Sequence, residues 1–443
     1  MILLINPKTT KPTESPIKYF REPNLGLLYL ASILDDNNFQ IEILDLEQYF
    51  HLNTHELKKL IQDKTGDFEI FGITALTNNF YKTLEISRLI KKEKPNSYII
   101  FGGPHVSFLF KDILRSENSI DFICVGESER SFLKLVSLLE YKIENKINTS
   151  RIIEKLHSIK GIAWKIRDNE IIFTENDEPI NLNEIPLPAR YKLSQENYLY
   201  KVANIIVNRG CYNKCSFCSR QKLFIKPRLR SIQSIKNEID DIIQLQHYEY
   251  INFYDNINMD RDFFNSFCKM LIKYKNNLPW GCELRADLIS EDDARLLKEA
   301  GCKLVATGIE SANVNILRKN FKYQDPNLVA EGIKNLKRNG LAIQAYFVLG
   351  LPGETEQTFY ETLRYIEKLP LTKQDKINYF AATPYPGSRL WEEKEKFEIN
   401  IIEKDFSKYD CEHVIFETKH LSFERLKELF RVAKNIEKDF KYD

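Results

Sequence analysis

Short apolar runs and longer amphipathic runs alternate along this chain in two series, with a polar, proline-punctuated stretch between them. In the first series, residues 2–6, 40–44, 69–74, 98–102 and 122–126 are short apolar runs bounded by turn residues, a pattern that predicts strands. Between them, apolar residues recur at three- and four-residue spacing over 25–34, 54–61, 81–92, 110–115 and 129–139, which predicts helices with one buried stripe. Strand and helix in strict alternation imply a parallel sheet covered on both faces, so residues 1–150 are expected to form an α/β, doubly wound flavodoxin-like or Rossmann-like domain. Such sheets bind ligands beyond the carboxyl ends of their strands. The turns expected there are Asn6-Pro7, Gly102-Gly103-Pro104-His105 and Gly126-Glu127-Ser128. No G-x-G-x-x-G run is present, which argues against a dinucleotide.

Residues 151–198 read as a connector, with 161–166 and 170–174 predicted to pair as a hairpin about Asp168-Asn169. Prolines at 186 and 188 keep 182–190 from being helical. From 199 to 395 the alternation resumes, with strands predicted at 202–207, 250–254, 280–284, 303–308, 342–349 and 376–380. Helical patterns separate them, as in Ile232, Ile235, Ile239, Ile242 and Ile243. Just past successive strands come Arg209-Gly-Cys211, Asp255-Asn256, Arg285-Ala-Asp287, Gly308-Ile-Glu-Ser311, Gly350-Leu-Pro-Gly-Glu-Thr355 and Thr383-Pro-Tyr-Pro-Gly-Ser388. In a parallel barrel these loops share one face, and that face carries the active site. Six units predict a partial (β/α)6 barrel, open at its side. Turn-making explains the glycines and prolines but not the charges of Asp255, Glu283, Arg285, Asp287 and Glu310 at one rim. The tail, 396–443, contains a helix opened by Ser422 as N-cap, with Leu426, Leu429, Phe430 and Val432 on its apolar face. It reads as a packing or lid element without chemistry of its own.

At 443 residues, 43% hydrophobic and 29% charged, the chain has the composition of a globular protein of two or three domains. A net charge of +1 gives no overall pull toward nucleic acid or a membrane surface. The local basic stretch Arg220, Lys222, Lys226, Arg228 and Arg230 reads either as a steering patch for anions or as a solvated loop. No apolar run approaches the ~20 residues of a membrane helix, and Met1-Ile-Leu-Leu-Ile5 is too short for a secretory segment. These features, with unpaired thiols, predict a cytoplasmic protein.

The most specific chemistry lies in Cys211, Cys215 and Cys218, a C-x3-C-x2-C loop directly after the strand at 202–207. Thiolates hold iron–sulfur clusters, and a cubane normally takes four. Three on one loop would leave one iron open to a small molecule, as the incomplete shell of a catalytic zinc is open to substrate. A structural zinc is the alternative, but it wants a fourth ligand nearby, and the nearest histidine is His247. The other cysteines, Cys124, Cys268, Cys282, Cys302 and Cys411, are scattered without a disulfide framework. Cys282 reads as a hydrogen donor or, several times more often for a free cysteine, as a small buried hydrophobe.

With Phe217 between the last two thiols, this loop resembles that of the radical SAM superfamily. With both halves in view, nearly the whole chain resembles radical SAM enzymes that carry an N-terminal B12-binding domain. The first half matches at Ile5-Asn-Pro7, Leu25-Gly-Leu-Leu-Tyr-Leu-Ala31, Gly102-Gly-Pro-His105 and Gly126-Glu-Ser-Glu129; the second at the cysteines and the strand-end motifs above. The resemblance implies a 4Fe-4S cluster on Cys211, Cys215 and Cys218. Its open iron would chelate S-adenosylmethionine (AdoMet), and its electron would cleave the sulfonium to a 5′-deoxyadenosyl radical. Phe217 would pack near the adenine, and Asp255, Arg285 and Glu310 would hold AdoMet; a salt-bridge network at the rim is the alternative for each of the three. Cobalamin would lie along the carboxyl edge of the first sheet, facing the barrel mouth, against Gly102, Gly103, His105, Gly126 and Glu127. His105 reads equally as a locally satisfied turn residue. The stretch 7–19 has no histidine where other B12 proteins supply a lower axial ligand.

The reaction implied is methylation of an unactivated carbon of a small molecule through the radical and methylcobalamin. A flavodoxin- or ferredoxin-type reductant is implied, and neither nucleic acid nor a membrane as partner. Alternatives are a radical start ending in ring contraction, cyclisation, oxidation or epimerisation, and a non-catalytic AdoMet- or cobalamin-binding regulator. A methylthiotransferase would want more cluster cysteines in the first domain, where only Cys124 lies.

Overall fold

The computed structural model describes residues 1–9, 23–49, 51–148, 151–166, 170–194, 196–198 and 201–439. The chain divides into two compact units, Met1–Tyr200 and Lys201–Asp443.

In the first unit, β1 (Ile2–Asn6), β2 (Ile41–Asp45), β3 (Ile70–Thr74), β4 (Tyr98–Gly102) and β5 (Phe122–Cys124) run parallel in the order β2-β1-β3-β4-β5. This is the flavodoxin-like winding, with its switch point between β1 and β3. β1 is buried along its whole length, which is why it reads as a continuous apolar run. The helices are α1 (Leu25–Asp36), α2 (Thr54–Thr65), α3 (Phe80–Glu93), α4 (Pro104–Ser116), α5 (Glu129–Glu144) and α6 (Ile153–His157). α2 opens with a capping box between Asn53 and Glu56. α4 begins six residues earlier than the periodicity predicts, because Pro104 sits at its first turn, where proline is pre-organised for helix. A kink at Leu109 hides the early turn from a periodic reading.

The segment 151–198 does more than connect. The predicted hairpin forms as β6 (Ile162–Lys165) and β7 (Ile171–Phe173), its turn residues Asp168 and Asn169 lying outside the described residues. β6 pairs antiparallel with β5, so the hairpin extends the first sheet to seven strands. Farther on, Ala189 donates its amide to the Leu28 carbonyl at 3.1 Å, and the Tyr198 hydroxyl donates to Asp45 Oδ2 at 2.6 Å. Burial lifts the Asp45 carboxyl to about 6, against the opposing bonds from Tyr198 and Asn6. The first unit therefore ends at Tyr200 and takes in the segment expected to be a linker.

In the second unit, β8 (Val202–Ile206) starts the barrel, and a two-residue ribbon of β9 (Asn208–Arg209) and β10 (Arg228–Leu229) follows. Then come β11 (Tyr250–Asn256), β12 (Trp280–Glu283), β13 (Cys302–Glu310), β14 (Ala342–Leu349) and β15 (Lys376–Ala381). The six barrel strands are parallel in the order β15-β14-β13-β12-β11-β8, an open (β/α)6 arc. Between the strands run α7 (Arg220–Leu223), α8 (Ile232–Leu245), α9 (Arg261–Leu271), α10 (Glu291–Glu299), α11 (Val314–Lys319), α12 (Pro326–Arg338) and α13 (Glu356–Lys368). Along β14 burial alternates: Ile343, Ala345, Phe347 and Leu349 join Ile239, Phe267 and Phe359 in the main core, while Gln344 and Tyr346 point the other way.

The tail is part of this unit. After α14 (Arg389–Glu392), the strands β16 (Ile399–Ile401) and β17 (Phe416–Thr418) pair, and α15 (Phe423–Asp439) packs against β15. Ser422 accepts from Arg425 N, as its N-cap reading requires. Leu426, Leu429 and Phe430 are buried as expected, but Val432 is 37% exposed and Ala433 takes its place against the barrel. Among the described residues, no helix is long and apolar enough to cross a membrane.

Candidate active site

The β9–β10 ribbon, pairing Asn208 with Leu229 and Arg209 with Arg228, closes a stem beneath the loop that carries Cys211, Cys215 and Cys218. Arg230 locks that stem from below. Its guanidinium donates to the Ile206 carbonyl at 3.0 Å and pairs with the buried carboxylate of Glu238. In the middle of the loop, buried Ser216 donates its amide to Asn320 O (2.9 Å) and its hydroxyl to Asn320 Oδ1 (2.8 Å), and its carbonyl accepts from Leu390 N at 2.9 Å. Four separated stretches of chain thus fix the three thiols.

All three thiols line one cavity of about 270 Å³ at the carboxyl ends of the barrel strands, with Asp255, Glu283, Arg285 and Glu310 on its walls. Asp255, next to last in β11, has φ +76° and Glu310, at the end of β13, has φ +63°, left-handed values that L-residues seldom adopt. Each sits at a break in strand register, between Phe253 and Asn256 and between Gly308 and Glu310. The two bulges turn both carboxylates into the cavity, a recurrent use of bulges beside active sites.

Asp255, Glu310 and Arg285 each have a charged partner, while burial raises the Glu283 carboxyl against the opposing charge of Arg220. Asp255 pairs with Arg220. Glu310 Oε1 lies 2.7 Å from Lys322 Nζ, which also donates to Gly308 O at 3.1 Å. A Cβ on Gly308 would meet the Glu310 carboxylate and the Lys322 ammonium, so both side chains would have to shift for any other residue there. Arg285 holds Asp287 through two bonds (3.0 and 2.6 Å), the Tyr323 carbonyl at 2.5 Å and Asn213 Oδ1 at 3.0 Å. The rim salt-bridge network therefore exists, and Arg285 serves the cysteine loop. Burial opposes a charged Lys322, yet Glu310 and Cys215 outweigh it and hold the ammonium above its ordinary range.

Burial pushes the Cys215 thiol up to about 12 and raises Cys218 as well. Ligation by metal is what deprotonates such thiols. Among the described residues, no three His, Cys, Asp or Glu side chains converge on a position for a single ion. A cubane spreads its thiolates over separate irons, so three thiols that line one cavity without converging on a single position suit it better than they suit one zinc. Asn208, 1% exposed on the same cavity, donates to Asn256 O at 3.2 Å and leaves Oδ1 buried without a partner. That acceptor fits a ligand carrying N–H or O–H groups, as AdoMet does.

Phe217 does not line the cavity; it packs against the apolar cluster of Leu351, Leu390 and Phe416. Cys282 is also off the lining, buried in the core with its thiol against Cys302. Asn208, Asn213, Asn320 and Lys322 were not anticipated. Asn208 flanks the cysteine loop and Asn213 lies within it, neither with a residue type that marks a role, and Asn320 and Lys322 reach the site from the segment after α11.

At the carboxyl edge of the first sheet, Gly103 has φ +105°, and a Cβ there would stand 2.7 Å from Ala75 O, so the β4–α4 turn requires glycine. Around Gly102 and Gly126, by contrast, an added Cβ would meet nothing within 4 Å. These two leave an open ledge suited to a flat macrocycle, and Glu127 follows it, half-buried. His105 is 1% exposed, with Nδ1 3.2 Å from Thr77 Oγ1 and its ring 4.3 Å from that of Phe80. Burial holds it neutral, down to about 3.

The Radical SAM superfamily model matches residues 205–366, and the B12 binding domain model matches 19–136. The chain is 31% identical over 449 residues to "Uncharacterized methyltransferase PH0819" of Pyrococcus horikoshii, covering 98% of this chain and 91% of that one. It belongs to the radical SAM enzymes that carry a B12-binding domain. With that membership come a 4Fe-4S cluster, AdoMet and cobalamin as cofactors. A further relative, "Anaerobic magnesium-protoporphyrin IX monomethyl ester cyclase" of Rubrivivax gelatinosus, is 28% identical over 400 residues, 88% of this chain and 68% of that one. In fold, the chain matches the radical AdoMet methyltransferase TsrM of Kitasatospora setae, solved with cobalamin and a [4Fe-4S] cluster. The TM-score is 0.74 at 15% identity, over 97% of this chain and 90% of that one.

Proposed function

We propose that this enzyme is a cobalamin-dependent radical SAM methyltransferase that methylates an unactivated carbon of a small molecule. The observation that carries the reading is three cysteine thiols lining one cavity at the carboxyl rim of the barrel. When bound, the cluster and cobalamin supply the radical-generating electron and the methyl-carrying metal. Cys211, Cys215 and Cys218 hold the cluster. Asp255, Glu310 and Asn208 receive AdoMet, each aimed into the cavity by a bulge or by the ribbon. Arg220 and Lys322 hold the two carboxylates in place. Arg285 acts through the loop, and Phe217 supports it from the apolar side. Gly102, Gly103, Gly126 and Glu127 form the ledge for the corrin, with His105 stiffening the turn beneath it. The likeness to the Pyrococcus methyltransferase supports methyl transfer as the outcome.

The likeness to the Rubrivivax cyclase favours a second reading, the same radical start ending in ring formation. We place the enzyme in the cytoplasm, where unpaired cysteines stay reduced. A flavodoxin- or ferredoxin-type protein would be its electron donor, and a net charge of +1 supports a small molecule over nucleic acid as substrate.

Anaerobically reconstituted enzyme, given AdoMet and dithionite with or without hydroxocobalamin, tests this directly. 5′-Deoxyadenosine and S-adenosylhomocysteine rising together with cobalamin support methyl transfer. 5′-Deoxyadenosine alone supports the second reading, and neither product points to a regulator. Cys215→Ala should abolish 5′-deoxyadenosine, and its retention in that variant would break the assignment.

A further inference from the structure

One contact of the cysteine loop is not explained by holding or positioning a ligand. Asn213 Nδ2 lies 3.6 Å from Cys211 Sγ, within reach of an N–H···S hydrogen bond. Amide orientation is normally an assignment, but here the neighbours decide it. Arg285 has only donors, and its Nη1 stands 3.0 Å from Asn213 Oδ1, so the oxygen must face the arginine and the NH2 must face the sulfur.

Arg285 is itself held on all sides. Asn258 accepts from its amide and donates to its carbonyl, both at 2.9 Å. Asp287 and Tyr323 O hold the guanidinium, and only 17% of the Arg285 side chain and 6% of that of Asp287 are exposed. Because Asp287 offsets the positive charge, Arg285 acts on Cys211 chiefly through the direction it imposes on Asn213. A buried line thus runs from Asp287 through Arg285 and Asn213 to one sulfur of three. Neither Cys215 nor Cys218 has a side-chain amide on its sulfur among the described hydrogen bonds.

We propose that Asn213 is a positioning residue that tunes the cluster, its amide N–H stabilising the added negative charge of the reduced state at the Cys211 corner. Hydrogen bonds to cluster sulfurs are one of the protein's levers on reduction potential. The inference rests on the reading that Cys211 ligates iron, and it gives Asn213, which lines the same cavity, a role toward the cluster. The residue pair is set by two turns distant in sequence, Cys211–Cys215 and Arg285–Asp287, so it is invisible to spacing arguments.

The test is a redox titration of the reconstituted cluster, without AdoMet, followed by electron paramagnetic resonance, with iron per chain measured on the same samples. Asn213→Ala removes the N–H. Asn213→Asp keeps the shape and the acceptor for Arg285 but presents oxygen to the sulfur. Both are expected to hold iron as wild type does and to be harder to reduce. At the wild-type midpoint, their ratio of reduced to oxidised cluster should be about ten-fold lower, equivalent to about 59 mV for one electron, with Asp at least as far shifted as Ala. Asn213→Gln, which retains an N–H, should lie between them and wild type. Wild-type midpoints in both Ala and Asp variants overturn the inference. So does loss of iron from both, which would make Asn213 a builder of the loop. Failure of wild type to give any reducible cluster would instead refute the ligand reading beneath it.

Discussion

Replacing Lys322 by methionine tests whether the Glu310–Lys322 pair organises the cavity wall. Methionine keeps most of the volume and removes the cation. The two side chains are 13% and 8% exposed, with Nζ 2.7 Å from the carboxylate. Removing one partner of a buried pair costs about 3–5 kcal/mol, because the other charge is left in low dielectric. Some solvent still reaches both, so the lower end applies, ~3 kcal/mol. The second acceptor of the ammonium, Gly308 O, keeps Gln324 Nε2 at 3.3 Å, so the loss falls mainly on Glu310. Glu310→Gln in the same background removes the stranded charge and should restore about 2 kcal/mol of the loss. Urea unfolding of the cluster-free protein measures this in a Trp164→Phe background. The remaining tryptophans, Trp280 and Trp391, both lie in the second unit and report its unfolding. If Lys322→Met stays within about 0.5 kcal/mol of its parent, or if the two substitutions add within that margin, the pair is not coupled and the argument fails.

Other consequences are as direct. Asn208→Ala, which deletes the buried free acceptor, should raise the AdoMet dissociation constant about ten-fold with iron content unchanged; equal affinity in equilibrium dialysis would remove Asn208 from the ligand site. Gly103→Ala should cost about 1–3 kcal/mol of stability through its left-handed φ, whereas Gly102→Ala should unfold like wild type and bind hydroxocobalamin more weakly. Burial lifts the Glu354 carboxyl to about 8, against the amides of Gly350 and Leu351 that lower it. Its folded value lies above the unfolded one, so its contribution to stability is complete below about 4.5 and is lost as pH rises through about 8. Glu354→Gln should flatten the stability–pH curve across that window, and an unchanged slope would place the titration elsewhere. His413 titrates above its ordinary 6.5 because Asp410 bonds its ring. Its contribution to stability is complete below 6.5 and should be lost as pH rises through the raised folded value, and His413→Asn should abolish that step.

The strands and most helices were legible because their periods are strong. All eleven barrel and sheet strands expected from apolar runs form, most within two residues of their expected ends. The open barrel followed from counting units, and the cysteine loop from spacing alone. What was not legible depends on geometry that sequence does not encode locally. The start of α4 hid behind a kink, and the linker joined the sheet because the edge of β5 was free to take the β6–β7 hairpin. Val432 and Ala433 differ by one position on a helix, enough to exchange which is buried. In the site, Asp255 and Glu310 were readable as strand-end carboxylates, but their aim comes from bulges. Their cations are Arg220, readable only as part of a basic stretch, and Lys322, two loops away. His105 sat in a recognisable motif, yet the motif builds a turn and its side chain points into the protein.

The central claim is that Cys211, Cys215 and Cys218 hold a cluster with one iron open to AdoMet. Electron paramagnetic resonance of the reduced, anaerobically reconstituted protein, recorded before and after AdoMet, tests it most directly. The account predicts about four irons per chain, a cluster signal that changes on AdoMet addition, and no such signal when the three cysteines are alanine. One zinc per chain in place of iron, or a cluster signal indifferent to AdoMet, would contradict it.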